Sequence, residues 1–285
     1  MASPLIDGHL WYPSGQSAYT GAALALQRRL DRMFVAWGHD AFRATEYVFP
    51  PFVAASELAK LDYFSSFQHL ATFPVALDPD EANLQRFAEA TPVGEDGVVH
   101  LTACTPPRDV LTPAACYHFY IQLQGTQLDG PRYLTTKAFC FRREKHYAPL
   151  ERQSAFEMRE LVCIGGEADV VRFLGQMRET VEKFVTAIDL PLRWDKATDP
   201  FFRPMQNPKY VAQRLTPLKT EMVFDSHLAI GSVNLHRSYF GEAFGITTPD
   251  GEAAYSGCVA FGLDRWVFAF AKRFGPNEAA WPVPP

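Results

Sequence analysis

No apolar run in this chain of 285 residues approaches the roughly 20 needed to cross a bilayer, so no helical membrane span is expected. The opening stretch, MASPLIDGHLWYPSG, has no basic segment leading into an apolar core, so no secretory signal is expected either. Cysteine is sparse and scattered, at Cys104, Cys116, Cys140, Cys163 and Cys258. An odd number at wide spacing argues against a disulfide framework, and a reducing cytoplasm is the expected compartment. Neither C-x-x-C nor H-E-x-x-H occurs, so no local motif announces a metal. Basic runs are missing as well. The net charge of −5 offers no general attraction for a nucleic-acid backbone, although it does not exclude a local patch. Internal repeats and low-complexity segments are absent. What remains, 47% hydrophobic and 21% charged residues, is the composition of a soluble globular protein with one large domain or two small ones.

The most informative stretch is AFCFRREKHYAPLERQSAFEMRELVCIG, residues 138–165. Residues 138–144 and 155–164 both alternate, which predicts two β-strands joined by a charged loop. Side chains two apart share a face of a strand. Arg142 and Glu144 then share one face of the first strand, and Phe156, Met158 and Glu160 share one face of the second. Paired as a hairpin, the two carry a cation, two carboxylates and an aromatic plate on one surface. That suits a nucleotide: Arg for a phosphate, Phe for a base, Glu to accept from an exocyclic amine. The same pattern also describes a surface hairpin whose charges face water, and alternation alone leaves both readings open.

Along the chain, residues 1–18 read as an irregular lead. Residues 19–37 read as a helix, with Leu26, Leu30, Met33, Phe34 and Trp37 on one side. Ala44 to Phe49 reads as a strand stopped by Pro50 and Pro51. Helices are expected at 53–64 and 80–90, a strand at 98–101 after a turn, and a helix beginning at Tyr117. Residues 167–188 form a regular amphipathic helix on Val171, Leu174, Val181, Val185 and Ile188. The Pro- and aromatic-rich 190–217 reads as loop. Strands are expected at 219–224 and 228–232. Near the end, Gly257 to Arg265 reads as a small-residue strand feeding an apolar helix to Phe274. Glycine there lets a ligand approach the backbone closely.

These pieces resemble the class II aminoacyl-tRNA synthetases, closest to the seryl type. Residues 138–165 resemble motif 2, residues 19–51 motif 1, and residues 257–275 motif 3, with Ala260 in place of the usual first glycine. The resemblance implies an α+β fold, a class II catalytic core with an antiparallel sheet flanked by helices, in a single domain over 1–285. It implies that Arg142 holds the α-phosphate of ATP, that Glu144 reads adenine, that Phe156 stacks on the ring and that Arg265 binds the γ-phosphate. Ser232-Val233-Asn234 resembles a seryl-type segment near the nucleotide, which brings in Asn234. The acid expected just before it is replaced by Leu228, which leaves Glu221 or Asp225 to hold Mg²⁺. Motif 1 implies a homodimer.

Cys116, Glu160 and Cys258 lie far apart, and spacing alone does not make them ligands. One branch of seryl-like proteins holds Zn²⁺ with Cys, Glu and Cys at these three places, and this sequence matches all three. In that branch the open fourth position takes the amino group of the substrate amino acid. Cys104, Cys140 and Cys163 read as packing residues. Two groups share this arrangement: the seryl-tRNA synthetase of methanogens, and the amino acid:[carrier protein] ligases. The three motifs fill 19–275, so no tRNA-binding domain is expected, and ATDPFF at 197–202 and LAIGSVNLHRSYFG at 228–241 also resemble the second group. The resemblance implies ATP-dependent activation of a small amino acid, with Gly, Ala or Ser favoured, and its transfer to the phosphopantetheine thiol of a carrier protein. Two alternatives stand beside it: an adenylating enzyme that serves another acceptor (a peptide, a small amine or tRNA), and a non-catalytic paralogue that binds ATP or an amino acid.

Overall fold

A computed structural model describes residues 5–215 and 218–282. Seven strands make one sheet: β1 (Thr45–Tyr47), β2 (Arg132–Phe141), β3 (Ala155–Gly165), β4 (Leu192–Ala197), β5 (Lys219–Phe224), β6 (Leu228–Arg237) and β7 (Tyr255–Gly262). Their spatial order is β4-β5-β6-β7-β3-β2-β1. Every neighbouring pair is antiparallel except β1 and β2, which run parallel. The expected antiparallel sheet is therefore mixed at one edge. The long connection from β1 to β2 makes this possible, since a parallel partner needs a crossover that returns the chain to the same end.

Six helices pack on or beside this sheet: α1 (Gly21–Phe42), α2 (Tyr117–Gln122), α3 (Glu167–Ala187), α4 (Pro208–Leu215), α5 (Tyr239–Phe244) and α6 (Leu263–Phe274). The alternation of β3 and β7 sorts the two sheet faces into two layers. Leu161, Cys163, Val259 and Phe261 point into the larger core, where they meet Leu30 and Phe34 of α1, Phe173 and Met177 of α3, and Trp266 of α6. Phe34 stacks on Phe261 with ring centroids 4.0 Å apart. Val162, Ile164 and Cys258 point the other way, against Phe119 and Tyr120 of α2 and Phe240 and Phe244 of α5. The first layer is a continuous apolar wall. The second is where polar residues enter the same strands.

Register fixes which polar residues meet. Glu160 lies opposite Thr136 on one side and Ala260 on the other. Cys258 lies opposite Val162 and Asn234. Next to it, Gly257 lets β7 sit close to α3: a Cβ there would lie 2.9 Å from side-chain carbons of both Val170 and Leu174 and 3.0 Å from the Asn234 carbonyl oxygen.

Several sequence expectations need correction. Strand β2 ends at Phe141, so Arg142 and Glu144 come after the strand rather than share its face. The Arg142 N–H still pairs with Ser154 O at 3.0 Å, but the Arg143 N–H turns to Leu70 O, and the ladder ends there. The expected helix at 53–64 is a short strand (Phe52–Ala54) and two helical turns (Ala55–Ala59 and Tyr63–Ser66). Asp62 sits between those turns at φ 51°, a left-handed conformation that a helix cannot pass through. At 98–101 there is only a bridge between Val93 and Val99, and those valines stay half exposed. The expected loop at 190–217 contains β4 and α4, with residues 216–217 outside the described residues. The lead at 1–18 contains a hairpin, His9–Tyr12 with Gln16–Tyr19, and residues 1–4 lie outside the described residues. The strand expected to end at Ser232 runs on to Arg237. Among the described residues, no helix is long and apolar enough to cross a membrane.

Candidate active site

The polar face of β3, β5, β6 and β7 opens on a cavity of about 550 Å³. The residues that the sequence assigned to nucleotide and metal line it, Asp225 excepted, and they divide between two ends.

Arg142, Glu144, Phe156, Glu221 and Arg265 gather at one end. The Arg142 guanidinium lies 5.1 Å from the Phe156 ring centroid, within cation–π range, and donates to Pro113 O at 3.3 and 3.1 Å. Arg265, in the first turn of α6, donates to Glu151 O at 2.8 Å and Ala229 O at 2.7 Å. Carbonyls hold both arginines, and a carbonyl fixes a guanidinium without neutralising it. Burial pulls Arg265 down to about 10, with Arg142 and Arg152 adding to the effect. Three arginines therefore face two carboxylates, Glu144 and Glu221, at this end of the cavity, and an anion relieves the excess of positive charge. Arg152 pairs with Glu144 at 2.8 Å. Of the two acids left by the sequence to replace Leu228, Glu221 lines the cavity, 3.5 Å from Lys219, and Asp225 sits in an exposed turn.

The other end holds Cys116, Glu160 and Cys258. Each offers a ligand atom within 4.8 Å of the others, and all three residues are buried. Glu160 Oε1 accepts from the Ala115 N–H at 3.0 Å, whereas Oε2 is buried without a partner. A buried carboxylate oxygen with no donor is costly unless a cation or proton meets it. Burial pushes the Glu160 carboxyl up to about 8, with Cys258 adding. The hydrogen bond between the two thiols raises Cys116 and lowers Cys258. Burial pushes both upward, and His236 and Asn234 pull Cys258 further down. Two sulfurs and one carboxylate oxygen around an uncompensated position form a donor set that fits Zn²⁺ with one position left open. Asn234, expected near the nucleotide, lines the cavity and donates to Cys258 Sγ at 3.3 Å and to Ser232 Oγ at 3.0 Å. The remaining cysteines are free, with Cys140 and Cys163 fully buried.

Sequence reasoning missed three residues of the cavity, His236, Asp199 and Lys219. His236 reaches it because β6 continues past Ser232. Asp199 and Lys219 form a 3.0 Å ion pair in its wall. Burial works against the Asp199 charge, yet Lys219 and Gln213 hold its carboxyl below the ordinary range. The signal for His236 was present, because Ser232, Asn234 and His236 alternate with Val233 and Leu235.

No family model matches the chain. Among solved structures, M. kandleri SerRS, determined with A. aeolicus tRNASec, superposes on 98% of this chain with a TM-score of 0.81 at 19% identity. The cytoplasmic serine–tRNA ligase of Naegleria fowleri, with AMP, gives 0.66 over 95% at 12%. The chain spans 57% and 53% of those two chains. The fold is thus the catalytic core of a class II aminoacyl-tRNA synthetase. Amino acid–[acyl-carrier-protein] ligase 1 of Bradyrhizobium diazoefficiens is 35% identical over 244 residues, which cover 82% of this chain and 73% of that protein. Ligase 2 of the same organism is 32% identical over 250 residues, 82% and 71% respectively. A type-2 serine–tRNA ligase of Methanococcus maripaludis is 24% identical over 94% of this chain and 55% of its own length. The chain belongs to the amino acid–[acyl-carrier-protein] ligase family.

Proposed function

We propose that this protein activates a small amino acid with ATP and passes it to the phosphopantetheine thiol of a carrier protein. The observation that carries the reading is one cavity with three arginines at one end and two sulfurs with a carboxylate at the other. In the first step a carboxylate oxygen of the amino acid bonds to the α-phosphorus of ATP, and pyrophosphate leaves. Arg142 and Arg265 offset charge on the phosphates, and Phe156 and Glu144 receive the adenine; Glu221 would hold Mg²⁺, which when bound would supply further positive charge to the phosphates. In the second step the thiol sulfur bonds to the activated carbonyl carbon, and AMP leaves with the electron pair. Neither step calls for a nucleophile from the protein, so catalysis here is positioning and electrostatics.

Cys116, Glu160 and Cys258 would hold one Zn²⁺, which when bound supplies a Lewis-acid position for a neutral substrate amine. Tyr117 and Phe240, which line the cavity in the same apolar cluster as the two cysteines, favour a short side chain such as that of Gly, Ala or Ser. The net charge of −5 and the absence of a basic run offer no general attraction for tRNA, which supports a carrier thiol as acceptor. Arg172 and Arg178 of α3 are poor docking candidates, since each is paired within its own helix, to Asp169 at 2.5 Å and to Glu182 at 3.0 Å. A cytoplasmic homodimer built through residues 19–51 completes the reading. The exposed Val48 beside edge strand β1, with Phe52 and Phe139 nearby in the chain and sheet, supports it.

The test is ATP–pyrophosphate exchange across all amino acids, followed by radiolabel transfer to holo-carrier, apo-carrier or total tRNA. Exchange with one small amino acid and label on holo-carrier only is expected. Stable label on tRNA with none on any holo-carrier favours another acceptor, and no exchange with any amino acid favours a binding paralogue. Sedimentation at micromolar concentration checks the dimer; a fully active monomer refutes it.

A further inference from the structure

Beyond the three candidate ligands, a chain of side chains runs from α2 to Cys258, with buried hydroxyls behind a half-buried His236 that borders the cavity. We propose that His236 is a positioning residue that holds the Cys258 sulfur through its Nε2–H, with its tautomer set by the hydroxyls of Tyr120 and Ser256. The proposal rests on the reading of Cys116, Glu160 and Cys258 as a zinc site.

His236 Nε2 lies 3.7 Å from Cys258 Sγ. Its other ring nitrogen, Nδ1, lies 3.2 Å from Tyr120 Oη and 3.2 Å from Ser256 Oγ. Tyr120 and Ser256 are both fully buried, and neither hydroxyl has another side-chain partner among the described residues apart from its companion. Each hydroxyl must donate its proton. If Nδ1 carried a proton, the two hydroxyls would have two protons to donate and only each other to receive them, so the chain would end on a donor with no acceptor. With Nδ1 bare, one hydroxyl donates to the ring and the other to its companion, and all are satisfied. The ring proton then sits on Nε2, facing the sulfur. Asn234 Nδ2 donates to the same sulfur at 3.3 Å. Cys258 thus receives two N–H groups. Such partners orient a metal ligand and tune its electron donation.

The experiment compares wild-type protein with His236→Phe and with the Tyr120→Phe/Ser256→Ala double variant, each loaded with Zn²⁺ and, separately, Co²⁺. Zinc retention is measured by competition with a chelator. The sulfur-to-cobalt charge-transfer band is read by absorption. For His236→Phe, zinc is expected to be held about 10- to 100-fold less tightly. The cobalt band is expected to move to longer wavelength, because a thiolate that loses a donor gives up its electron more easily. The double variant keeps the ring but frees its tautomer, so a smaller shift in the same direction is expected. A folded His236→Phe protein that holds zinc within twofold of wild type and shows an unmoved band overturns the proposal. If that variant does not fold, an unmoved band in the double variant does so instead. Wild-type protein that takes up neither metal overturns the proposal together with the metal reading, which separates the two failures.

Discussion

The two ends of the cavity are built differently. At the thiol end, two of the three residues, Glu160 and Cys258, lie inside paired strands where register sets their mutual position, Cys116 leads into α2, and all three are at most 4% exposed. At the arginine end, Phe156 and Glu221 also sit in strands, but the charged groups that would meet a nucleotide do not: Arg142 comes just after the end of β2, Glu144 lies in the loop beyond it, and Arg265 is in the first turn of a helix. Those side chains are held by carbonyls or by each other. Strand interiors place atoms closely and adjust little. Strand ends and first helical turns are where chains most readily shift. The difference implies that one end is organised before any ligand arrives, whereas the other tightens around a nucleotide whose phosphates its charges lack.

The strongest way to break this comparison is to remove an arginine. Arg142→Ala and Arg265→Ala should each cut pyrophosphate exchange by two orders of magnitude or more while the fold survives. One hydrogen bond to a charged group is worth about 1.5–3 kcal/mol, or roughly 10- to 150-fold, and each arginine is placed to make several. Exchange within a few-fold of wild type would show that the arginine end does not bind the phosphates. Next comes Cys116→Ser, which should take metal content from about one zinc per chain to near none and remove activity with it. A serine variant that keeps both zinc and exchange would dissolve the distinction between the two ends. A smaller effect is expected from Glu144→Gln. It should raise the KM for ATP several-fold while leaving zinc content unchanged, because the adjustable end is altered alone. The smallest effect concerns docking of the carrier: if charge guides it, the loading rate should fall a few-fold between low and physiological salt while exchange stays level. Equal salt sensitivity of both steps would place the effect in the cavity.

The sequence disclosed these parts unequally, for reasons that particular residues make plain. α1, α3 and α6 bury a full apolar side against the sheet, so their spacing was readable, and Leu161, Cys163, Val259 and Phe261 marked the matching strand face. β4 was hidden because Arg193, Asp195 and Lys196 interrupt it and it lies at a sheet edge among prolines. The far half of β6 did carry a signal, since Ser232, Asn234 and His236 alternate with Val233 and Leu235, and the strand was expected to end too early, at Ser232. At 98–101 the opposite happened: adjacent valines promised a strand but found no sheet to join. Within the site, resemblance to known motifs picked out residues that line one cavity, whereas the contacts that register sets between them were not legible. Asn234 sits against a sulfur because β6 pairs it with Cys258, a fact no spacing along the chain conveys.

Gly257 carries a practical lesson for anyone wishing to change which amino acid this protein accepts. It is one residue from Cys258, and its missing side chain lets α3 press against β7. A library that randomises the neighbourhood of the cysteine would lift the strand from the helix at nearly every new residue at this position. It would thereby tilt the sulfur away before any new pocket could be selected. Pressure for altered selectivity is better placed on Tyr117, Phe240 and Phe201, which border the cavity from outside the sheet. There a change of shape can be absorbed by a loop or a short helix, and the strand that carries the sulfur keeps its seat.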